Sequence, residues 1–507
     1  MKMKKSVRNV LILFLVLCIG LLSACGQTSS KDKSASTEKK KITIFNRLNP
    51  EVNVEDNAIL KQLEEKLNVE IEYIAPPINN YKEKEQITMA SNDLPDIIYN
   101  WGGADSYYES WAKQGLIVSL DDYLNEKDYP NIMSTITSQA WDAIKSTEDG
   151  KIYSIPRLSN DGYWGFLINQ TWLDNLGLKA PTTLDEFKAV CHAFTYDDPD
   201  KNGKDDTYGF GLSLGSSGVD VNALKYSFGL VDAKDSNGNY ATLTRKDGFI
   251  PYLTFFKDLQ DDGTIDPEFF TNEVYAHEEK LIAQKVGIIP YHSTGALIIA
   301  NKGNLPLDTF TYIGALENQE GKRMEYVTPA IWGTWMISKD ADVEACLKLI
   351  DYCMSDEGFA LMYLGIKGEH YNSYDFKTRT VDRTPEQIQK LASVSSSYFT
   401  FTFAKDGLTP IIEGANTQEA IDKYYKEFNA MKDNSETVYV PLVRSKADSE
   451  FKENNPDLVT KLSNLEIKYI VGEISEADFK DFLTKEYYPA SEAAEEEYVS
   501  IMKELDK

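Results

Sequence analysis

Apolar and polar residues alternate with two periods in the first part of the chain, and the changes of period outline successive elements. Residues 42–45 show the two-residue alternation of a strand, and Ile59, Leu63 and Leu67 recur on one face of a helix. The segment VEIEYI, residues 69–74, again favours a strand. The chain therefore opens with a β-α-β unit, and strands that alternate with helices predict an α/β domain.

Polar and aromatic residues follow these predicted strands. Asn46 and Arg47 come after the first strand, and Asn100 and Trp101 end the Pro-bounded apolar run LPDIIYNW. In open α/β sheets the ligand lies beyond the carboxyl ends of the strands. These four residues are therefore candidates for binding a ligand.

The pattern changes near Tyr163. An extended apolar run, YWGFLINQ, leads into a short helical segment, a GLKAP turn and a capping box in which Thr183 and Glu186 open a further helix. This change predicts that the chain enters a second lobe.

The first residues have the pattern of a secretory signal. Four basic residues precede an apolar run, residues 10–22, which is too short for an ordinary transmembrane helix. The run ends in Leu-Ser-Ala-Cys25, which resembles a bacterial lipobox, where the cysteine receives a diacylglycerol. Residues 1–24 are predicted to be a lipoprotein signal peptide and residues 25–41 an acylated, flexible tether. We expect a lipid anchor at Cys25 on the extracellular face of the cell membrane.

Charge and cysteine content narrow the class of partner. A formal net charge of −27 opposes binding to nucleic acid. Cys191, Cys346 and Cys353 lie in amphipathic patterns, so we expect buried thiols and no disulfide framework.

The loop DPDKNGKDDTYG, residues 198–209, places oxygen donors at the offsets of an EF-type calcium loop. The donors are the side chains of Asp198, Asp200, Asn202 and Asp206 and the carbonyl of Lys204. Gly203 permits the sharp turn, but Gly209 stands where an EF-hand has a bidentate Glu, and a strand-like segment follows in place of a second helix. We predict a structural Ca²⁺ site with a dissociation constant of about 10⁻⁴ to 10⁻³ M. The alternative is a solvated Asx-rich turn.

A G-x-S-x-G segment around Ser213 matches the spelling of a nucleophile elbow, with His277, His292 and His370 downstream as possible bases. An elbow needs a helix directly after the serine, whereas the next residues, Ser-Ser-Gly, extend a loop. The sequence contains neither H-E-x-x-H nor a phosphate-binding P-loop. We therefore expect no catalysis at Ser213.

Several stretches, spread over nearly the whole chain, occur together: the lipobox, LPDIIYNW, LINQTWLDNLGLKAPTTLDEF, DPDKNGKDDTYG, FFKDLQDDGTIDPE, TPAIWGTWMISKDADVEACLKLIDYCMSDEG and KYIVGEISEADFKDFL. This set resembles the extracellular solute-binding proteins of ABC importers, in particular the LipO-like lipoproteins. The resemblance implies an α/β, type II periplasmic-binding-protein-like fold with two lobes of discontinuous chain. Hinge crossings are expected near Trp164–Asn169, Ile288–Thr294 and Trp332–Ile337. Lobe 1 would comprise residues 42–165 and 288–334, and lobe 2 residues 166–287 and 335–507.

The resemblance also implies a function. We expect a monomeric receptor, not an enzyme, that closes around a small solute and delivers it to the membrane subunits of an ABC permease. An oligosaccharide is the expected solute. Two alternatives remain open: a receptor for peptides or another solute class, and a secreted glycoside hydrolase, which needs only two suitably placed carboxylates.

Candidate ligand-binding residues lie near the predicted strand ends and crossings. Aromatic rings there can stack on sugar rings, and the candidates are Trp101, Tyr163, Trp164, Tyr291, Trp332 and Trp335. Polar groups can hydrogen-bond hydroxyls or a uronate, and the candidates are Asn46, Arg47, Asp96, Asn100, Arg157, Asp161 and His292. Each ring taken alone is equally compatible with a place in the core.

Overall fold

The computed structural model describes residues 39–48, 52–91, 93–103, 106–158, 163–214, 220–327, 331–375, 380–395, 399–402, 418–439 and 443–506. Predictions about the signal peptide, Cys25 and Asp161 lie outside these residues, as does the predicted tether up to residue 38. Across the described ranges, every helix is too short or too polar to cross a membrane.

The described strands, in chain order, are β1 (Lys40–Phe45), β2 (Val69–Ile74), β3 (Ile97–Trp101), β4 (Ser154–Leu158), β5 (Trp164–Asn169), β6 (Tyr208–Phe210), β7 (Val286–His292), β8 (Phe310–Ile313), β9 (Met324–Val327), β10 (Ile331–Ile337), β11 (Ser373–Asp375), β12 (Thr380–Asp382) and β13 (Glu436–Tyr439). β1 begins inside the segment predicted to be tether.

The described helices are α1 (Ala58–Leu67), α2 (Tyr81–Met89), α3 (Ser106–Lys113), α4 (Pro130–Thr135), α5 (Ser138–Ala143), α6 (Gln170–Leu176), α7 (Leu184–Tyr196), α8 (Asn222–Ser227), α9 (Phe249–Asp261), α10 (Ala276–Ile282), α11 (Gly295–Gly303), α12 (Val343–Met354), α13 (Asp356–Leu364), α14 (Pro385–Ala392), α15 (Gln418–Asp433), α16 (Lys446–Asn454), α17 (Pro456–Ile470), α18 (Glu476–Phe482), α19 (Tyr488–Ala490) and α20 (Glu492–Leu505). Short 3₁₀ turns cover Ile78–Asn80 and Leu243–Arg245, and a π-helical segment covers Leu483–Tyr487.

The first sheet has the strand order β2-β1-β3-β10-β4. β1 is parallel to β2 and β3, and β10 is antiparallel to β3 and β4. The predicted β-α-β opening is present, and Asn57 caps α1 by accepting the backbone N–H groups of Ile59 and Leu60. The carboxyl ends of β1 and β3 consequently share one edge with the amino end of β10.

The second sheet has the order β6-β7-β5-β8, with β6 and β7 parallel and β5 antiparallel to both β7 and β8. Its own apolar core contains Phe166, Phe187, Phe194 and Phe210, whose rings pack against one another or against neighbouring rings. The carboxyl ends of β6 and β7 share an edge with the amino end of β5.

The division of the chain between the two sheets differs from the predicted lobe boundaries. β7 and β8 pair with β5, so residues 286–313 belong to the second sheet, and the segment Ile288–Thr294 is not a crossing. β10 pairs with β3, and Phe399 and Phe401 pack in the first core, so residues 331–402 return to the first sheet. The chain leaves the first sheet after β4 and rejoins it at β10; β9, which follows β8, pairs with β13 in a separate two-stranded sheet. A buried apolar strand has the same hydrophobic pattern in either sheet, because the pattern does not determine which strand it pairs with.

Predictions that rest on a few neighbouring residues agree with the structure better than the predicted lobe boundaries do. Thr183 caps α7 by accepting the backbone N–H of Glu186 at 3.2 Å. The Glu186 carboxylate, however, accepts hydrogen bonds from the backbone N–H and hydroxyl of Thr182, both at 2.8 Å, and does not complete the predicted box. As predicted, Cys191, Cys346 and Cys353 are buried free thiols.

Candidate functional site

Arg47 and Trp101 meet at the carboxyl edge of the first sheet. The guanidinium carbon of Arg47, which follows β1, lies 3.3 Å from the centroid of the Trp101 ring at the end of β3. Arg47 is 2% exposed, and its neighbour Asn46 is 1% exposed. Asn46 donates a hydrogen bond from Nδ2 to the Tyr73 hydroxyl at 2.9 Å. A planar guanidinium stacked on an indole is held in one orientation.

Asn100, the other predicted residue at the end of β3, is committed to local hydrogen bonds. Its Nδ2 donates to the carbonyl of Gly103, and its Oδ1 accepts from Nζ of Lys82 at 2.7 Å. Lys82 also lies 3.1 Å from the buried carboxylate of Glu85. Lys82 was not predicted, since the helix pattern of α2 gave no sign that its first turn meets the end of β3.

Arg157 and Trp332 continue this edge on the neighbouring strands. Nε of Arg157, in β4, donates to the carbonyl of Thr400 at 2.9 Å, and its guanidinium carbon lies 6.0 Å from the Trp332 ring. The Tyr99 hydroxyl donates to the Trp332 carbonyl at 3.0 Å, which anchors the start of β10. Trp332 is half-buried.

Two predicted residues lie away from this edge. Asp96 precedes β3, at the opposite end of the strand from Trp101, and accepts hydrogen bonds from the backbone N–H and hydroxyl of Thr43, both at 2.7 Å. Trp335 is fully buried, and its Nε1 donates to the carbonyl of Phe401 at 3.1 Å. The structure therefore separates Asp96 and Trp335 from the other predicted binding residues, because Asp96 lies at the amino end of β3 and the pleat of β10 turns the Trp335 side chain into the first core.

His292 brings the edges of the two sheets together. It ends β7 opposite Trp164, the first residue of β5, and the two rings are 5.9 Å apart. The His292 ring also lies 6.2 Å from the ring of Trp332 in the first sheet. Nδ1 of His292 is 2.6 Å from the Thr294 hydroxyl, and burial lowers the pKa of His292 to about 4. The imidazole is therefore neutral at neutral pH.

Tyr291 and Tyr163 lie beside this contact. The Tyr291 ring is 4.5 Å from that of His292, and its hydroxyl donates to Glu278 at 2.9 Å. The Tyr163 ring, just before β5, meets the ring of Phe428 in α15 at 5.2 Å. Phe428 was not predicted, because α15 and β5 are far apart in the sequence and no local pattern connects them.

Ser213 and His277 form a pair at the same edge of the second sheet, after β6. The Ser213 hydroxyl oxygen lies 2.9 Å from Nδ1 of His277 and accepts the backbone N–H of His277 at 3.3 Å. Burial lowers the pKa of His277 to about 4. Among the described residues, no carboxylate lies within ion-pair distance of His277. His370, the third possible base, accepts the backbone N–H of Ile366 instead.

Two polar contacts also join the sides of the two sheets. Nδ2 of Asn79, in the turn after β2, donates to the carboxylate of Glu273, before α10, at 2.8 Å. Arg444, just before α16, pairs with the buried Glu109 of α3. The first contact lies by the edge strands β2 and β6, and the rings of His292 and Trp332 meet nearer the sheet centres.

Glu325 is a buried carboxylate next to the end of β8, the outer strand of the second sheet. It lies in β9, the strand that leads to β10, and its Oε1 accepts the backbone N–H of Ala315 at 2.8 Å. Oε2 is buried without a hydrogen bond to any described residue. Burial raises the pKa of Glu325 to about 7.

The acidic loop is held by hydrogen bonds among the predicted donors. The Asp198 carboxylate accepts the backbone N–H groups of Asn202 and Gly203, both at 3.0 Å, and Asn202 Nδ2 donates to Asp200 and Asp206. The side chains thus converge around Asn202, whose Oδ1 accepts the backbone N–H of Lys204 at 2.8 Å. In the described parts of the chain, no three His, Cys, Asp or Glu residues form a cluster that could hold a metal by themselves.

The structure explains the missing Glu of the EF-type pattern. Gly209 packs so closely on α7 that a Cβ there would lie 2.4 Å from the Cα of Cys191. Gly209, the twelfth residue of the loop, is therefore part of β6 and packs against α7, where a glutamate side chain would not fit. Lys285 pairs with Asp206 at 2.8 Å from the neighbouring chain segment.

A separate cavity of about 770 Å³ lies between α7, α9 and α18. None of the predicted ligand-binding residues lines it. Its charged side chains pair with one another or with nearby groups, as Lys188 does with Asp258 and Arg245 with Glu492. We assign this cavity to helix packing and not to solute binding.

Comparisons with known proteins identify the family. The chain is 26% identical to the polygalacturonan/rhamnogalacturonan-binding protein YtcQ of Bacillus subtilis (strain 168), over 93% of this chain and 94% of that one. It is 30% identical to lipoprotein LipO of the same strain, over 70% and 72%. A solved structure of an EF-hand mutant of the Streptococcus pneumoniae ABC-transporter substrate-binding protein FusA, in complex with fructo-nystose, superposes with a TM-score of 0.65 at 20% identity and covers 92% of this chain and 98% of that one.

These similarities confirm the predicted α/β fold of type II solute-binding proteins. The model of the bacterial extracellular solute-binding protein family matches residues 58–368, more than half of the chain. The chain belongs to the bacterial extracellular solute-binding protein family.

Proposed function

We propose that this protein is the receptor of an ABC importer that binds an oligosaccharide between the facing edges of its two sheets and delivers it to the permease. The observation that carries the proposal is the ring contact between His292 and Trp332. It brings the binding edges of two separately built sheets together, with Arg47 and Arg157 on one side. Aromatic rings with fixed polar neighbours are the groups that sugar rings and hydroxyls require. The carbohydrate ligands in the names of YtcQ and FusA support the same class of solute.

The proposed ligand-binding set consists of the predicted residues that lie at or beside the two facing edges. It contains Asn46, Arg47, Asn100, Trp101, Arg157, Tyr163, Trp164, Tyr291, His292 and Trp332. Asp161 stays a prediction outside the described residues. Asp96 and Trp335 act as structural residues behind this edge.

We further propose that the protein binds without catalysis, as a monomer held at the extracellular face of the membrane by a lipid on Cys25. A His277 whose pKa burial lowers to about 4, and which has no carboxylate partner among the described residues, is a weak base for Ser213. The name of LipO supports the lipid anchor, which the lipobox predicts.

The acidic loop is proposed to bind Ca²⁺ through Asp198, Asp200, Asn202, Asp206 and the Lys204 carbonyl. The convergence of these groups around Asn202 supports the site, and the EF-hand that is mutated in the FusA structure supports its metal. Its role would be to fix the connection between α7 and β6. The ion is a hard cation that oxygen donors suit.

A thermal-shift screen tests the proposed function. The purified protein without residues 1–24 is heated with oligogalacturonides, fructo-oligosaccharides, raffinose and, separately, short peptides. We expect at least one carbohydrate to raise the melting temperature and to reduce the radius of gyration in solution scattering, since closure compacts two lobes. Stabilisation by peptides alone would contradict the carbohydrate assignment, and carbohydrate cleavage would contradict the receptor role.

A further inference from the structure

We propose that His277, held by Ser213, forms a polar end of the solute-binding cleft and donates a hydrogen bond from Nε2 to a hydroxyl or ring oxygen of the bound oligosaccharide. This inference rests on the proposed function and assigns a role to the G-x-S-x-G segment. His277 would be a specificity-determining residue, and Ser213 the positioning residue that orients it.

The topology places this pair at the same edge as the aromatic contact. β6 and β7 are parallel neighbours, so the residues that follow β6 lie at the edge where His292 ends β7. Ser213 follows β6, and His277 lies in the first turn of α10. The pair therefore extends the row formed by Trp164 and His292 toward the outer strand of the second sheet.

The hydrogen bonds accommodate the tautomer that carries its hydrogen on Nε2, which we assign to His277. The backbone N–H of His277 donates to the Ser213 hydroxyl oxygen, so the hydroxyl hydrogen is free to donate to Nδ1. An imidazole that accepts at Nδ1 carries its hydrogen on Nε2. Nε2 makes no hydrogen bond with any residue in the described ranges, and it is not among the fully buried polar atoms. The lowered pKa of His277 keeps this donor neutral at neutral pH.

The first sheet supplies the opposite wall at this end. Asn79, in the turn after the outer strand β2, donates to Glu273, which lies four positions before His277. This contact brings the β2 side of the first sheet against the segment that carries His277. The cleft would thus have an aromatic part near Trp332 and a hydrogen-bonding end near His277.

Titration calorimetry with the carbohydrate that gives the largest thermal shift tests the inference. We expect His277→Ala to weaken binding about tenfold, as loss of one hydrogen bond in a partly desolvated site does. Ser213→Ala should weaken it less, about threefold, because the ring remains but loses its orientation. His277→Gln, whose amide nitrogen can reach the position of Nε2, should restore part of the affinity.

The matched control is His192→Ala. His192 is exposed on α7 and pairs with Asp262 at 2.9 Å, so its loss should leave the dissociation constant unchanged. A second readout is the long-range ¹H–¹⁵N spectrum of the imidazoles, in which the His277 Nε2 resonance should shift when carbohydrate is added. An unchanged dissociation constant for His277→Ala, with unchanged His277 resonances, would overturn the inference while wild-type binding still upholds the proposed function. No carbohydrate binding by the wild type would instead overturn the proposed function.

Discussion

The two facing edges of the proposed site differ in charge: one carries guanidinium groups, and the other carries neutral imidazoles. The first-sheet edge carries Arg47 and Arg157, guanidinium groups held by the Trp101 ring and the Thr400 carbonyl. The second-sheet edge carries His277 and His292, whose imidazoles are held neutral by burial. One edge therefore offers fixed positive charge, and the other offers neutral donors and rings. On both edges, a neighbouring ring, carbonyl or hydroxyl orients the polar group.

The substitution Glu325→Gln should have the largest effect, and it tests whether burial keeps the carboxyl group of Glu325, near the second sheet, uncharged. Glu325→Gln keeps the acceptor for the Ala315 N–H but removes a carboxylate whose pKa burial raises to about 7. The folded state holds this proton more tightly than the unfolded state, so the contribution of Glu325 to wild-type stability falls as the pH rises from about 4.5 to about 7. Near pH 8 the variant should be more stable by about 3 kcal/mol, and near pH 4 the two proteins should be equal.

Urea unfolding at both pH values measures this difference. The control is Glu320→Gln, an exposed carboxylate in the loop before β9, which should change neither value. Parallel pH profiles for Glu325→Gln and the wild type would show that Glu325 carries no buried charge.

Trp332→Ala tests the contact that joins the edges. Loss of the ring that meets both His292 and Arg157 should weaken carbohydrate binding about thirtyfold, as expected for a central aromatic contributing about 2 kcal/mol. Trp141→Ala is the matched control, since Trp141 packs on the first core from α5. It should lower the melting temperature and leave the dissociation constant unchanged. Equal losses of affinity in the two variants would place the solute elsewhere.

The calcium loop should affect stability and not affinity for the solute. Millimolar Ca²⁺ should raise the melting temperature by about 1 to 3 °C, and EGTA should reverse the change, as expected for a weak structural site. Asp198→Asn with Asp200→Asn should abolish the shift. Asp205→Asn, in the same loop but at no donor offset, should retain it. If neither Ca²⁺ nor EGTA changes the melting temperature of the wild type, the loop is a solvated turn and not a calcium site.

The smallest expected effect concerns the pH dependence of binding. Because the pKa values of His277 and His292 are lowered to about 4, affinity should vary less than about twofold between about pH 5 and about pH 8. The unfolded chain takes up these protons from about pH 6.5 downward, so the contribution of the two histidines to stability, unlike affinity, should fall as the medium is acidified. Calorimetry across this range measures affinity. A steep gain in affinity below about pH 6.5 would mean that a histidine binds the solute as a cation.

The sequence could predict what short segments decide. The β-α-β opening, the Thr183 cap, the buried cysteines and the convergence of donors in the acidic loop depend on residues close together in the chain. The carboxyl-end rule also placed Arg47 and Trp101 together. Strand partners could not be predicted, because the apolar patterns of β7 and β10 suit either sheet. Lys82, Phe428 and the Ser213–His277 pair depend on contacts between distant segments. Asp96 lies at the amino end of β3, which the carboxyl-end rule does not place at the site.

The central claim is that the cleft binds an oligosaccharide and leaves it intact. Titration of the purified protein with the stabilising carbohydrate, followed by mass spectrometry of the same sample, tests it most directly. We expect saturable binding of one carbohydrate per protein, lost in Trp332→Ala, with no shortened product. Product formation, or binding that Trp332→Ala leaves intact, would contradict it.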